Sequence, residues 1–158
     1  MAMNDYVKTM RQLIGSRPML LPGVRALILN SQGAVLLQRR LDMPCWCLPS
    51  GSVELGETAL DALKREVAEE TSLVVLDAEP MGLYSGPSQR FAYLNGDEIQ
   101  CFSIAFVVRQ WQGEPRADGI EGSDVRFFAM SQLPRELVPI HKPTIEDYRS
   151  YQGKFLLR

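Results

Sequence analysis

The stretch 57–73, ETALDALKREVAEETSL, constrains the fold more than any other part of the chain. Thr58, followed by Asp61 three residues on, predicts a helix N-cap closed by a capping box. Leu60, Leu63 and Val67 then recur at helical spacing. At about 100° per residue these three fall within an arc of about 60°, a narrow apolar stripe. Glu66, Glu69 and Glu70 fall in a second arc of about 100° beside that stripe. Lys64 and Arg65 lie further round. The pattern predicts a helix whose carboxylates sit at the edge of a core rather than opposite it.

Taken alone, that placement is unfavourable. Glu66 and Glu70 are like charges at i, i+4, which costs roughly 0.2–0.5 kcal/mol. All three acids lie toward the helix C-terminus, where the macrodipole disfavours negative charge by roughly 0.3–1 kcal/mol each. A bound divalent cation reverses both signs. Hard cations such as Mg²⁺ take oxygen ligands and share them with substrate phosphates. A solvated, Glu-rich helix face is the competing reading of E-x-x-E-E, and only the surrounding pattern decides between them.

Around that helix the chain reads as an α/β domain. Residues 3–14 predict a short amphipathic helix with Tyr6, Met10 and Leu13 on one side. Pro18 and Pro22 break the chain after that helix. Val24 to Leu29 reads as a strand, Asn30 to Gly33 as a turn, and Ala34 to Gln38 as a second strand in a hairpin with the first. Residues 41–52 are loop-like. Val74 to Leu76 returns to strand. Phe91 to Arg109 reads as two strands around Asn95-Gly96, a strong hairpin signal. Val125 to Ala129 is a last short strand, and residues 141–152 a closing helix with Ile145 and Tyr148 inward. This order fits a mixed sheet with helices packed on its faces, and no linker divides it.

The chain's 158 residues suit one domain rather than two. A formal net charge of −2 gives no reason to expect a nucleic-acid duplex or an anionic membrane as partner. No apolar run approaches the roughly 20 residues of a membrane span, and residues 1–15 lack the apolar core of a signal peptide, so a cytoplasmic location is expected. Cys45 and Cys47 form C-W-C rather than C-x-x-C, and His141 is the single histidine. A zinc site therefore lacks ligands. Three reduced, mostly buried thiols and a surface His141 are the expectation.

Residues 51–73, GSVELGETALDALKREVAEETSL, closely resemble the Nudix box, G-x5-E-x7-R-E-U-x-E-E-x-G-U, where U is a bulky aliphatic. Gly51, Glu57, Arg65-Glu66-Val67, Glu69-Glu70 and Leu73 occupy its positions. The preceding W-C-L-P-S-G is similar to the W-x-L-P-G-G usual in that family. Two residues depart. Ser72 stands where the family has glycine just past the helix end, a position that often needs a left-handed backbone. Ser50 replaces the first of two glycines and keeps the backbone carbonyl. The resemblance extends to Tyr93-Leu94-Asn95-Gly96-Asp97-Glu98, similar to a Y-P-N-G-D-E hairpin, and to residues 113–134, where an acid precedes an R-F-F strand. It implies the Nudix fold, a mixed β-sheet sandwiched between α-helices, in a single domain 1–158. Residues 1–20 would be an N-terminal helical extension, 22–135 the core and 141–152 a C-terminal helix.

The resemblance also implies a reaction: hydrolysis of the diphosphate bond of a nucleoside diphosphate linked to another moiety, with Mg²⁺ or Mn²⁺ as cofactor. Metal ions neutralise such an anion and lower the pKa of bound water. Glu66, Glu69 and Glu70 are the implied metal ligands, completed by the carbonyl of Ser50 or Gly51. Arg65 is expected to orient a glutamate, Glu57, by a charge-assisted hydrogen bond. The base is Glu69 or Glu66 in one alternative and Glu121 in the other. Arg39 and Arg40 are candidate phosphate contacts or plain surface charges. Trp46 either stacks on a base or covers its loop. Asp97 and Glu98 read as turn-capping residues. The S-Q-P-W-P-F-P run of NADH-directed members is absent, and Pro87 and Tyr93 do not settle a substrate. A nucleotide sugar or ADP-ribose-like compound competes with a modified nucleoside triphosphate. The alternative function is a non-catalytic, nucleotide-metabolite-binding module on the same fold. The N-terminal helix is expected to pack in a homodimer or to cover its own chain.

Overall fold

In the computed structural model, which describes residues 5–158, two sheets and three helices enclose the core. Residues 3 and 4 of the expected N-terminal helix lie outside the described residues. The elements run α1 (Asp5–Ile14), β1 (Met19–Ile28), β2 (Val35–Arg40), β3 (Trp46–Cys47), β4 (Ser50–Ser52) and α2 (Ala59–Thr71). They continue with β5 (Val74–Tyr84), β6 (Arg90–Ala92), β7 (Glu98–Gln112), β8 (Gly122–Phe128), α3 (Lys142–Arg149) and β9 (Leu156–Leu157). The first sheet is mixed, in the order β4-β1-β7-β5-β9, with β6 also on β7; the second is β3-β2-β8.

Side-chain alternation along β1 sets the layers. Val24, Ala26 and Ile28 pack with Ala62, Leu63 and Val67 of α2. Leu27 and Leu29 pack on the other face with Trp46, Tyr84 and Ile145 of α3. On that same face Met19 and Leu21 meet Val7 of α1. The mixed sheet thus lies between α2 on one side and α1 with α3 on the other.

The helix signals read from the sequence are present. Thr58 caps α2 with the reciprocal Asp61 contact. Ser72 ends the helix at φ 61°, the single non-glycine residue with positive φ among those described. The Asn95-Gly96 turn joins β6 to β7 with Phe91 opposite Ile99, and Ile145 is buried on α3.

Four expectations are corrected. Val24–Leu29 and Ala34–Gln38 do not form a hairpin: β1 pairs with β4 and β7, β2 with β3 and β8, and one bridge, Leu29 to Val35, marks where the chain changes sheet. Pro22 does not break the chain but lies inside β1. Its carbonyl accepts from Val53 N, so its missing N–H falls on the same side and costs only the return bond of the last pair of the β4 ladder, at the edge of the sheet. The inward face of α1 is Val7, Met10 and Ile14, while Tyr6 and Leu13 are exposed. Leu60 is exposed at the start of α2. Arg11 ties α1 to the hairpin through Nη2 to Glu98 O at 2.6 Å, so α1 covers its own chain. Among the described residues no helix is long and apolar enough to cross a membrane.

Candidate active site

β4 is three residues long and lies against β1 in the register Val24–Gly51 and Arg25–Ser50. Bonds from Ala26 N to Pro49 O and from Val53 N to Pro22 O bracket this short ladder. Alternation in an antiparallel pair then turns the polar backbone groups of Gly51 toward β1 and those of Ser50 away from it. The Ser50 N–H indeed donates to Glu70 Oε2 on α2 at 2.8 Å, and its carbonyl faces the same side.

The inner face of α2 lies over this strand, and the acids are more deeply set than the helical wheel predicts. Glu66 is 6% and Glu70 1% exposed, inside the buried arc rather than beside it. The edge of that face which carries Glu66 and Glu70 rests on Gly51 and the Ser50 backbone, while Val67 beside them continues the apolar packing. A β-carbon on Gly51 would lie 2.0 Å from Glu66 Cδ and Oε1. The first box residue is therefore glycine because the Glu66 carboxylate occupies the space a side chain would need.

Arg65 gathers the remaining acids. Its Nε and Nη2 form a fork on Glu57, at 2.7 Å to Oε1 and 2.9 Å to Oε2. Nη1 reaches Glu66 Oε1 at 2.8 Å and Glu69 Oε2 at 3.3 Å, and Nη2 also donates to Ser52 O at 3.0 Å. The expected Arg65–Glu57 contact is thus present. Arg65 hydrogen bonds lead the causes that hold the Glu57 carboxyl below its ordinary range. Glu69 is the exposed member of the set, its side chain 58% accessible.

Burial, reinforced by Glu69 and Glu121 and opposed by Arg65, pushes Glu66 up to about 7. Glu70 is raised well above its ordinary value by burial and by Glu66, against hydrogen bonds from Gln38 and Ser50. Glu121, just ahead of β8, is near enough to reinforce the upward push on both acids, and its Oε2 is shielded from solvent. Gln38, a fully buried residue of β2, was not singled out from the sequence. The apolar run Val35–Leu37 stops at Gln38, which two arginines follow, so nothing local marks it as buried.

All these donors are oxygens, and two of them are buried carboxylates whose ionised forms want a cation; the set suits Mg²⁺ or Mn²⁺. Gly51 supplies the cradle that brings Glu66 close to the backbone. Among the described residues no three acid, cysteine or histidine side chains already surround one point as a finished cage. Arg65 holds Glu66 and Glu69 instead.

The other candidates scatter. Arg40 forks onto Asp42, with Nε to Oδ1 at 2.7 Å, and lines a cavity beside Ser50 and Gly51 with Arg25, Tyr93, Cys101 and His141. Arg39 is exposed, its guanidinium 6.0 Å from the Trp46 ring centroid. Trp46 is 5% exposed, edge-on to Phe128 at 4.8 Å, with Arg126 over its ring at 5.2 Å. Asp97 accepts from Asn95 within its turn at 3.1 Å, and Glu98 is exposed at the start of β7. His141 corrects an expectation: it is buried, because Nδ1 accepts the buried Leu48 N–H at 3.1 Å. Burial first, then Arg25 and Arg40, keep its imidazole neutral. Arg25, fully buried, donates to Ile140 O, Thr144 Oγ1 and Gln89 Oε1. A charged residue inside the apolar run of β1 was the unused signal for it.

A family model described as the NUDIX domain matches residues 19–148. The chain is 31% identical over 128 residues to a protein of Bacillus subtilis named putative 8-oxo-dGTP diphosphatase, covering 81% of this chain and 79% of that one. It is 32% identical over 129 residues to an ADP-ribose pyrophosphatase of Methanocaldococcus jannaschii, covering 80% and 72%. The crystal structure of a MutT NUDIX hydrolase from Burkholderia pseudomallei superposes with a TM-score of 0.68 at 25% identity, covering 82% of this chain and 97% of that one.

Proposed function

The chain belongs to the NUDIX family of pyrophosphohydrolases, and on that premise we propose that it splits the diphosphate linkage of a nucleoside diphosphate joined to another moiety, using Mg²⁺ or Mn²⁺. The observation that carries this reading is the pair of carboxylates, Glu66 and Glu70, buried against β4. There a bound cation offsets the cost of ionising them.

Glu66, Glu69 and Glu70 are assigned to hold the metal. The Ser50 carbonyl joins them in preference to that of Gly51, since alternation directs Gly51 into the β1 ladder. The ion supplies charge neutralisation and Lewis-acid polarisation of a phosphoryl oxygen. Arg65 keeps Glu66 and Glu69 in place and is itself fixed by the fork on Glu57, a supporting layer of the kind metal sites use. Glu121 is assigned as the base that takes a proton from the attacking water. Glu66 and Glu69, the other candidates, are both engaged by Arg65 Nη1. The water oxygen bonds to phosphorus as the anhydride P–O bond breaks. Arg40, beside the cavity next to Ser50 and Gly51, is assigned to the substrate's phosphates. Arg39 and Trp46 flank it, Trp46 acting through the guanidiniums stacked on it rather than through a free ring face. The free thiols of Cys45, Cys47 and Cys101 support a reducing, cytoplasmic setting. Tyr6 and Leu13, exposed on α1, are the surface on which a homodimer would form. A monomer in sedimentation at micromolar concentration removes that idea.

The two relatives carry two substrate classes at nearly equal identity, so the test spans both. The protein is incubated with Mg²⁺ or Mn²⁺ and a panel of nucleoside triphosphates, dinucleotides, nucleotide sugars and ADP-ribose. Metal-dependent release of a mononucleotide or pyrophosphate is expected. A loss of at least ~100-fold, about 2.7 kcal/mol of barrier, is expected in Glu69→Gln and Glu70→Gln. Ligand binding without turnover of any compound would establish the binding module instead.

A further inference from the structure

The loop ahead of β8 is wound on one side chain. The Asp118 carboxylate accepts from Ile120 N at 3.0 Å, from Glu121 N at 3.0 and 3.2 Å through its two oxygens, and from Gly122 N at 3.0 Å. Three successive N–H groups thus converge on a single carboxylate. Two backbone bonds close the same turn: Gly119 N to Gly122 O at 3.1 Å, and Leu41 N to Glu121 O at 2.9 Å. Gly119 lies at φ 71°, the left-handed conformation that curls the chain back over Asp118. Burial works against ionising Asp118, yet the three N–H groups hold its carboxyl below the ordinary range.

The turn is also seated from below. A β-carbon on Gly122 would lie 2.9 Å from Gln38 Oε1, so β8 begins in contact with the buried amide that also hydrogen-bonds Glu70. Asp118 fixes the backbone of Glu121 from one side, and Gln38 meets the next residue from the other. Glu121 is half-buried there, with Oε2 shielded from solvent. Fixing its backbone sets where its carboxylate can reach before substrate arrives, and positioning of this kind is worth orders of magnitude in rate.

We propose that Asp118 is a positioning residue: through the N–H groups of Ile120, Glu121 and Gly122 it fixes the turn that aims Glu121 at the acid cluster on α2. The inference rests on the reading of Glu121 as the base. Asp118 touches neither the reacting atoms nor the box.

The test compares Asp118→Ala, Asp118→Asn, Glu121→Gln and the double variant Asp118→Ala/Glu121→Gln on the substrate found by the panel. Amide hydrogen exchange at residues 120–122 is followed in the metal-free proteins. Asp118→Ala is expected to lower kcat by ~10–100-fold with KM changed less than about 3-fold, and to speed exchange at the three amides. Asp118→Asn, which keeps an acceptor oxygen, is expected to recover most of kcat. The double variant is expected to match Glu121→Gln alone. Full activity of Asp118→Ala beside an inactive Glu121→Gln overturns the positioning role and leaves the base assignment standing. Full activity of Glu121→Gln removes the base assignment and with it the catalytic purpose of the turn. In that case unchanged exchange in Asp118→Ala also denies that Asp118 holds it.

Discussion

The Glu66 carboxylate rests on the α-carbon of Gly51, where an added β-carbon would come within 2.0 Å of it. The obstructed group is the far end of a flexible side chain, so Gly51→Ala can fold by swinging that end aside. The expected outcome is a folded protein, with little change in its circular dichroism, whose kcat/KM falls by at least ~100-fold, or about 2.7 kcal/mol. Wild-type turnover from the alanine variant would show that the Glu66 position is not critical to the reaction.

Arg65 grips Glu57 with two parallel hydrogen bonds and still reaches Glu66 and Glu69. Lysine keeps the charge but has no planar fork. Arg65→Lys is therefore expected to lose ~10–100-fold in kcat/KM, about 1.4–2.7 kcal/mol, and to weaken Mn²⁺ binding in a titration. Equal activity in the lysine variant would reduce Arg65 to a generic counter-charge.

The metal-free protein should lose stability as pH rises. Glu66 titrates at 4.5 ordinarily and at about 7 in the folded chain, so the fold binds its proton more tightly than the unfolded state does. That stabilisation is complete below about pH 4.5 and is lost as pH rises through about 7. Glu70 shifts in the same direction. The melting temperature without metal is expected to be lower at about pH 8 than at about pH 5.5, and Mg²⁺ is expected to raise it more at the higher pH. Glu66→Gln should flatten the profile. Parallel slopes in the parent and the glutamine variant would exclude Glu66 as their source.

Ser72 ends α2 at φ 61° while its N–H still bonds Ala68 O at 3.0 Å. Glycine meets that backbone without the cost a β-carbon imposes. Ser72→Gly is expected to gain about 0.5–1 kcal/mol, or about 1–4 °C in thermal unfolding for a chain of this size, with kinetics unchanged. A loss of stability would mean that the serine side chain contributes more than its conformation costs.

The sequence signals that match the structure are local ones. The Thr58–Asp61 box and the Asn95-Gly96 turn are written in a few adjacent residues, and the backbone follows them directly. The turn Asn30 to Gly33 is equally visible, but whether β2 then pairs with β1 or leaves for another sheet depends on β8, nearly ninety residues away. Periodicity places the acids near the core yet not within it, because it cannot see that their neighbour is the bare backbone of Gly51. Gln38 and His141 are hard to read for a related reason. Each is polar and buried by virtue of a single distant partner, Glu70 for one and Leu48 N for the other, and neither partner is implied by the residues beside it. Arg65 and Glu57 are legible because both stand in one motif.

The acid cluster is stitched across a seam. Ser50 and Gly51 belong to the mixed sheet, Gln38 and the start of β8 to the smaller one, and α2 reaches both. Apart from the bridge between Leu29 and Val35, the described strands of the two sheets share no ladder, so their spacing is set by side-chain packing. The cleft therefore works as a gauge of that spacing. Breathing between the sheets that leaves every strand intact still parts Glu70 from one of its two anchors, and catalysis can be silenced well before the chain unfolds.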